Sequence, residues 1–419
     1  MNQTYTPKFQ EEYSAKIPAL TLLTSLGWTF LSPKQIMDYR GYKQDEVVLR
    51  PVLREELSKR SFMACGKTCQ LSEKALDNLI SQVCSPALNE GLLKANERMY
   101  NHLLYGIAVT EFVDGKKVNP TIALIDWEHP ENNQFHFTEE FTVLRSGGVE
   151  TRRPDIVCFV NGIPLAVIEA KSPAGHGKKG PTIDEGISQS IRNQLNDEIP
   201  QLFAYSQILL SINGHDGRYG TCHTPMKFWA AWREEDITYA QMYALRNHKL
   251  STEQIHALFD HRPSVDLKWY QQLIDGGELA VSGQDKLLIS LLSPERLLEM
   301  TRFFTLFDKK TGKIVARYQQ VFGIKRLLER ISTRRPDGGR EGGVIWHTTG
   351  SGKSYTMVFL SKALILHDSL KRCRIVVVTD RIDLEEQLSN TFASGGELAG
   401  KKDKANAMAT SGQMLAKQI

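Results

Sequence analysis

The stretch RRPDIVCFVNGIPLAVIEAKSP, residues 152–173, limits what this chain can fold into more than any other. Two apolar runs flank Asn161-Gly162, and Asn-Gly between such runs is a strong short-range hairpin signal. Each run carries an acid where a buried strand disfavours one: Asp155 opens the first, and Glu169 stands near the end of the second. Residues i and i+2 of a strand share a face, so Glu169 and Lys171 point the same way. Whether Asp155 joins them depends on the turn. A two-residue loop pairs Val160 with Ile163 and leaves Asp155 opposite Ile168, on the wrong face. A three-residue loop, Asn161-Gly162-Ile163, pairs Val160 with Pro164 and sets Asp155 opposite Glu169, with Gly162 supplying the left-handed residue. Metal-assisted phosphodiester hydrolysis needs carboxylates held on one face and a cation near the phosphate. A metal site on this hairpin therefore predicts the longer loop. Like charges directly opposed in a bare sheet cost about 0.2–1 kcal/mol, which favours a cation between the two acids. A surface hairpin with solvated acids is the alternative, weakened by the apolar run that leads into Glu169.

The rest of the chain places this hairpin in an α/β context. At 419 residues, two or three domains are expected. Residues 1–110 read as helical: IPALTLLTSLGW has helical apolar spacing, and LSEKALDNLISQV follows Ser72 as N-cap. From about 104 to 232 strand-like runs dominate, MKFWAAW being the last, with one helical stretch near GISQSIRNQLNDEIPQLFAYSQ. A mixed or antiparallel sheet is expected there. On that helix Gln201 and Tyr205 stand four apart on one face, able to orient DNA or a metal-bound water. The organisation read from these patterns is a nuclease-like domain over 1–255, a helical linker over 256–300 and a nucleotide-binding lobe over 301–419.

Lys+Arg 52 against Asp+Glu 48 permits polyanion binding without announcing it. Six cysteines with no signal peptide indicate free thiols and a cytoplasmic setting, and no apolar run approaches the ~20 residues of a bilayer span. Cys65, Cys69 and Cys84 are three thiols without a regular zinc spacing or an evident fourth ligand.

The segment GGVIWHTTGSGKSYTMVFLSKAL sets a glycine loop between a short apolar run and a helix. That is the context of a phosphate-binding loop. His347, Thr348, Thr349, Gly350, Ser351, Gly352, Lys353 and Ser354 form it, with His347 where the usual first glycine stands. Its backbone amides and Lys353 suit ATP phosphates, and the Ser354 hydroxyl suits Mg²⁺. A second buried strand is expected at RIVVVTD, and ARYQQVFGIKRLLERI resembles the segment in which motors of the superfamily 2 helicase type use a glutamine, here Gln320, to read adenine. From Asp308 to Arg340 ten Lys/Arg face three acids, a stripe suited equally to DNA phosphates and to a solvated surface. Downstream of Lys353 no Asp-Glu-x-His box precedes Ile419, so ATP binding without hydrolysis or translocation is expected, with residues 395–419 mobile or poorly packed.

Asp155, Glu169 and Lys171 in D-x13-E-x-K order, followed by Q-x-x-x-Y, resemble the PD-(D/E)xK nucleases. With FFTLFDKKTGKIVARYQQ and WHTTGSGKS downstream, the order over about residues 1–400 resembles the restriction (R, motor) subunit of type I restriction enzymes. That resemblance implies a PD-(D/E)xK restriction-endonuclease-like domain followed by an incomplete RecA-like P-loop domain of the superfamily 2 helicase type. It implies Asp155 and Glu169 as Mg²⁺ ligands, Lys171 as the catalytic lysine, and Gln201 with Tyr205 as the accompanying motif. An N-terminal helix acid, Glu11 or Glu12, would complete the site. It also implies ATP, double-stranded DNA, and modification and specificity subunits as partners, with cutting coupled in the full complex to translocation. A stand-alone helicase-nuclease or repair enzyme, or a non-catalytic ATP- or DNA-binding module, shares these features.

Overall fold

The computed structural model describes residues 10–173, 182–308, 311–348, 350, 352–367, 369–370, 373–378, 389, 409 and 411–418. The chain divides into two compact units, Met1–Leu298 and Glu299–Ile419.

The first unit is built on a six-stranded mixed sheet whose spatial order follows the chain. Its strands are β1 (Thr29–Phe30), β2 (Phe135–Glu139), β3 (Ile156–Val160), β4 (Ile163–Ala170), β5 (Ile208–Ile212) and β6 (Gly217–Gly220). The pairs β1/β2 and β4/β5 are parallel and the others antiparallel. Strands β3, β4 and β5 are buried along their whole length, which is why their sequences are near-continuous apolar runs. A π-helical turn, Glu12–Lys16, runs into α1 (Ile17–Ser25), which is apolar and buried on almost every side. Helix α2 (Arg50–Ser58) covers the hairpin turn, and α3 (Thr182–Asn193) packs on β4 and β5. The stretch expected as one helix from 186 to 207 is two: α3, then the single turn α4 (Pro200–Phe203). MKFWAAW forms no strand; Met226–Phe228 is a 3-10 turn, and only Ala230 bridges to Tyr219.

Three helices after residue 250 fall within this unit, over most of the stretch expected as a helical linker at 256–300. They are α5 (Thr252–Phe259), α6 (Ser264–Asp275) and α7 (Gly283–Leu292). Gln284 Nε2 donates to Ala15 O at 2.9 Å, and Trp28 Nε1 donates to Leu292 O at 2.7 Å. These bonds join the two ends of the unit across more than 260 residues of sequence.

The hairpin does not use the longer loop. Asn161 and Gly162 lie at φ 51° and 79°, the two-residue arrangement of a type I′ turn, and Val160 pairs with Ile163. A bulge then corrects the register: Phe159 pairs with Pro164 but Cys158 with Ala166, leaving Leu165 as the extra residue. Ile156 therefore pairs with Ile168, and the next position outward sets Asp155 opposite Glu169. The tight turn wins because it is buried. Asn161 Nδ2 donates to Leu124 O at 2.9 Å and to Asn133 Oδ1 at 2.8 Å, while Gly162 O accepts from Leu49 N at 2.8 Å at the start of α2. Pro164, which has no amide to give to a ladder, sits beside the bulge.

The second unit contains the antiparallel pair β7 (Thr305–Asp308) and β8 (Gly312–Val315), then α8 (Tyr318–Ser332) and α9 (Lys353–Leu366). The two parallel strands expected around the glycine loop are not formed among the described residues. Residues 341–348 and 373–378 lie outside any strand, and Val344 and Trp346 are 95% and 92% exposed. A parallel strand is stable when neighbours and covering helices bury both faces, and the described residues supply none here. The segment 379–388 and most of 390–410 lie outside the described residues.

A Cβ at Gly162 would stand 2.6 Å from Leu49 O and 3.1 Å from Leu53 N. Gly162→Ala is therefore expected to destabilise the first unit by roughly 1–3 kcal/mol. An unchanged denaturation midpoint would contradict the buried-turn account.

Candidate active site

The site lies where β4 leaves the sheet. Asp155, one residue before β3, turns its carboxylate across the open end of the hairpin, and Oδ2 accepts from Ala170 N at 2.8 Å. Glu169 is on β4 opposite Ser211 of β5 and is 0% exposed. Lys171, two residues on, has its Nζ 3.5 Å from Asp155 Oδ2, and it donates to Ala170 O at 2.7 Å. The structure thus brings Asp155, Glu169 and Lys171 to one point.

Glu11, just before the π-helical turn, is the N-terminal acid at this point: its Oε2 is 4.0 Å from Lys171 Nζ. Glu12 turns away to Lys16, at 3.4 Å, and to Arg262.

The electrostatics are those of crowded carboxylates. Burial, and then the charge of Asp155, push the Glu169 carboxyl well above the ordinary carboxylate range, against the opposing pull of Lys171. Burial likewise raises Glu11, again opposed by Lys171.

Helix α3 supplies two residues that sequence reasoning missed. Gln189 Nε2 donates to Glu169 Oε2 at 2.7 Å, and Asn193 Nδ2 donates to Glu169 Oε1 at 3.5 Å. They stand four apart and share a helix face. The close approach is made at Gly186, where a Cβ would meet Ser211 Oγ at 2.3 Å and Glu169 Cβ at 3.4 Å. A glycine inside a helical pattern was the available signal.

Gln201 and Tyr205, the pair expected in this role, are anchored elsewhere. Gln201 Nε2 donates to Leu144 O at 2.6 Å, and the fully buried Tyr205 donates to Val83 O at 2.7 Å. They do not share a helix, because α4 ends at Phe203.

The donor set suits a hard divalent cation, since Asp155, Glu169 and Glu11 offer oxygen ligands. The buried Asn193 Oδ1 beside them has no hydrogen-bond partner, an acceptor left for a cation or its water. Among the described residues no group of three or more acidic, His or Cys side chains is preassembled as a metal cage. The described cysteines, Cys65, Cys69 and Cys84 among them, are free thiols.

In the second unit Gly350 and Gly352 lie at φ 77° and 85°, and Gly352 caps α9. Lys353 Nζ donates to His347 O at 3.2 Å, closing the loop on itself. Gln320 reaches the same place, with Nε2 donating to Gly352 O at 3.2 Å while Oε1 accepts from Arg317 N at 2.9 Å. Ser354 lies in the first turn of α9, part-buried, and Thr348 is exposed; Thr349 and Ser351 lie outside the described residues.

Residues 8–228, more than half of the chain, match the family described as the type I restriction enzyme R protein N terminus. The chain belongs to that family. Residues 319–419 also match the SWI2/SNF2 ATPase family. The type I restriction enzyme HindI endonuclease subunit of Haemophilus influenzae is 31% identical over 91% of this chain and 33% of its own length. A provisionally named type I restriction enzyme endonuclease subunit of Methanocaldococcus jannaschii, MjaIXP, is 27% identical over 92% of this chain and 34% of its own. The chain thus spans about a third of the length of these curated relatives. No helix among the described residues is long and apolar enough to cross a membrane.

Glu169 is an acid whose pKa is raised on folding, so its cost to stability grows as pH rises above the ordinary carboxylate range of about 4. In the metal-free chain Glu169→Gln is expected to raise the melting midpoint at pH 7 by about 2–4 °C, on the order of 1 kcal/mol. The gain should vanish below about pH 4, where the wild-type carboxyl is protonated in both states. A loss of stability at pH 7 would refute this account of the site.

Proposed function

We propose that the first unit is a PD-(D/E)xK-type nuclease domain that hydrolyses phosphodiester bonds of double-stranded DNA with Mg²⁺, as part of a type I restriction enzyme. The observation that carries this reading is the bulge-corrected register, which opposes Asp155 and Glu169 with Lys171 beside them. Asp155 and Glu169 would hold the ion, with Glu11 as a third acid. Bound there, the ion supplies charge to offset the two carboxylates and lowers the pKa of a water used for attack.

The chain's own residues do the rest. Ala170 N fixes one oxygen of Asp155, and Gln189 and Asn193 fix both oxygens of Glu169. Neither carboxylate need reorganise during the reaction. Lys171, carried on the rigid end of β4, is the cation that would face the scissile phosphate and offset its developing charge. The glycine loop with Lys353 and Ser354 is proposed as the ATP phosphate site, with Gln320 held against it and Mg²⁺ at Ser354. Coupling of cutting to translocation, together with modification and specificity subunits as partners and a cytoplasmic setting, is part of the same proposal. The printed names of the relatives, endonuclease subunits of type I restriction enzymes, support it.

The test is cleavage of supercoiled DNA by the chain assembled with its modification and specificity subunits, titrated with Mg²⁺. Asp155→Asn and Lys171→Ala should each lower the cutting rate on the order of a hundredfold or more. Gln189→Ala should do so more weakly, whereas Gln201→Ala should leave the rate near wild type. Equal cutting by wild type and Lys171→Ala would sink the assignment.

A further inference from the structure

A second cluster of charge lies behind the site, and the proposed reaction does not use it. Arg262, in the turn between α5 and α6, donates from Nη1 to Glu12 and from Nη2 to Glu139, the last residue of β2. Its Nη1 also stands 3.5 Å from Asp266 Oδ2. Around it, His261 Nε2 is 2.7 Å from Glu139 Oε1, and Tyr13 donates to Asp266 Oδ1 at 2.9 Å. Lys16 reaches Glu139 at 3.6 Å and also bonds Glu140. Arg262, Glu139, Lys16 and Asp266 are all nearly inaccessible, with side-chain exposures of 6%, 4%, 5% and 8%. Charges so buried are expensive unless each is paired, and here each is.

The cluster touches the active site from two sides. Glu12 is the chain neighbour of Glu11, and Lys16 and Tyr13 lie in the same π-helical turn, so three contacts hold that turn down. Glu139 pairs with Ile156 across the sheet, and Glu140 N donates to Asp155 O at 2.9 Å, so the strand end that presents Asp155 is held as well. Arg262 bonds the N-terminal turn through Glu12 and β2 through Glu139 with the two arms of one guanidinium, whereas Lys16 reaches the same acids only from within the turn. It lies outside residues 8–228, the part that matches the R protein N terminus.

We infer that Arg262 is a positioning residue of the nuclease centre: by clamping the Glu12–Lys16 turn to the end of β2 it holds the Glu11 carboxylate against Lys171 and Asp155. A lysine at this position keeps the charge but lacks the planar fork whose two arms fix Glu12 and Glu139 at a set separation and angle. The inference rests on the proposed metal-binding role of Asp155, Glu169 and Glu11.

The test is a double-mutant cycle on the full chain, read as Mg²⁺ affinity by calorimetry in the absence of DNA. Arg262→Lys should weaken Mg²⁺ binding about tenfold when Glu11 is present, and should add nothing in a Glu11→Gln background. Tyr13→Phe, a milder change that removes only the hydroxyl on Asp266, should weaken binding less and again only when Glu11 is present; it serves if Arg262→Lys does not fold. An equal loss in both backgrounds, or no loss with the fold intact, overturns the inference and leaves Arg262 a purely structural residue. Asp155→Asn is the control that separates the two levels. If it leaves Mg²⁺ binding unchanged, the metal reading of the site falls, and the role given to Arg262 falls with it.

Discussion

The hydrogen bond from Ala170 N to Asp155 Oδ2, 2.8 Å across the open end of the β3–β4 hairpin, is the contact on which the site depends. It exists only if the two strands are in one particular register. A slip of a single residue would turn Asp155 or Glu169 to the opposite face of the sheet, because side chains alternate with period two. The register is held at three places: a buried type I′ turn, a bulge at Leu165, and this bond at the far end. The buried turn fixes where the strands start, and the bulge corrects the parity that the turn alone would give. The site geometry is thus a consequence of packing under α2, at a turn that begins six residues after Asp155 and ends nine before Lys171.

That geometry is electrostatically unfavourable on its own. Glu169 is fully buried beside a second carboxylate, and the nearby cation, Lys171, is bonded to Asp155 and to a backbone carbonyl. The surrounding polar side chains offset part of the cost. Gln189 and Asn193 donate to both oxygens of Glu169, and the helix that carries them can approach only because residue 186 is glycine. On the proposed reading, stability is given up at this point so that oxygen ligands stand in place before a cation arrives. The rest of the first unit compensates with a sheet whose three central strands are buried from end to end.

The hairpin, the opposition of Asp155 and Glu169, and the shared face of Glu169 and Lys171 were legible in the sequence because they follow from spacing within 20 residues. The means of reaching that register was not. A three-residue loop and a two-residue loop with a bulge shift the pairing by the same single residue, and nothing in the side chain of Leu165 distinguishes them. Local spacing does not separate Gln201 and Tyr205 from Gln189 and Asn193 either. Both pairs have a spacing of four, and only the tertiary path of α3 over Ser211 decides between them. Interior glycines such as Gly186 are more informative than spacing, since they mark where two elements meet closely.

The second unit shows the limit of local reading in the opposite sense. The loop glycines adopt the left-handed conformations that the motif calls for, and α9 starts where it should. Yet the runs VIW and IVVV stay outside any strand, because an apolar run becomes a parallel strand only when other strands and helices cover it. A turn closes on hydrogen bonds made within a few residues, whereas a parallel ladder depends on segments a dozen or more residues away. The first unit obtains such long-range partners from α5 to α7, which return from beyond residue 250 to bond the N-terminal turn and β2. Its candidate site is therefore packed in part by sequence far downstream of the D-x13-E-x-K motif, and that motif alone does not mark the boundary of the unit that holds it.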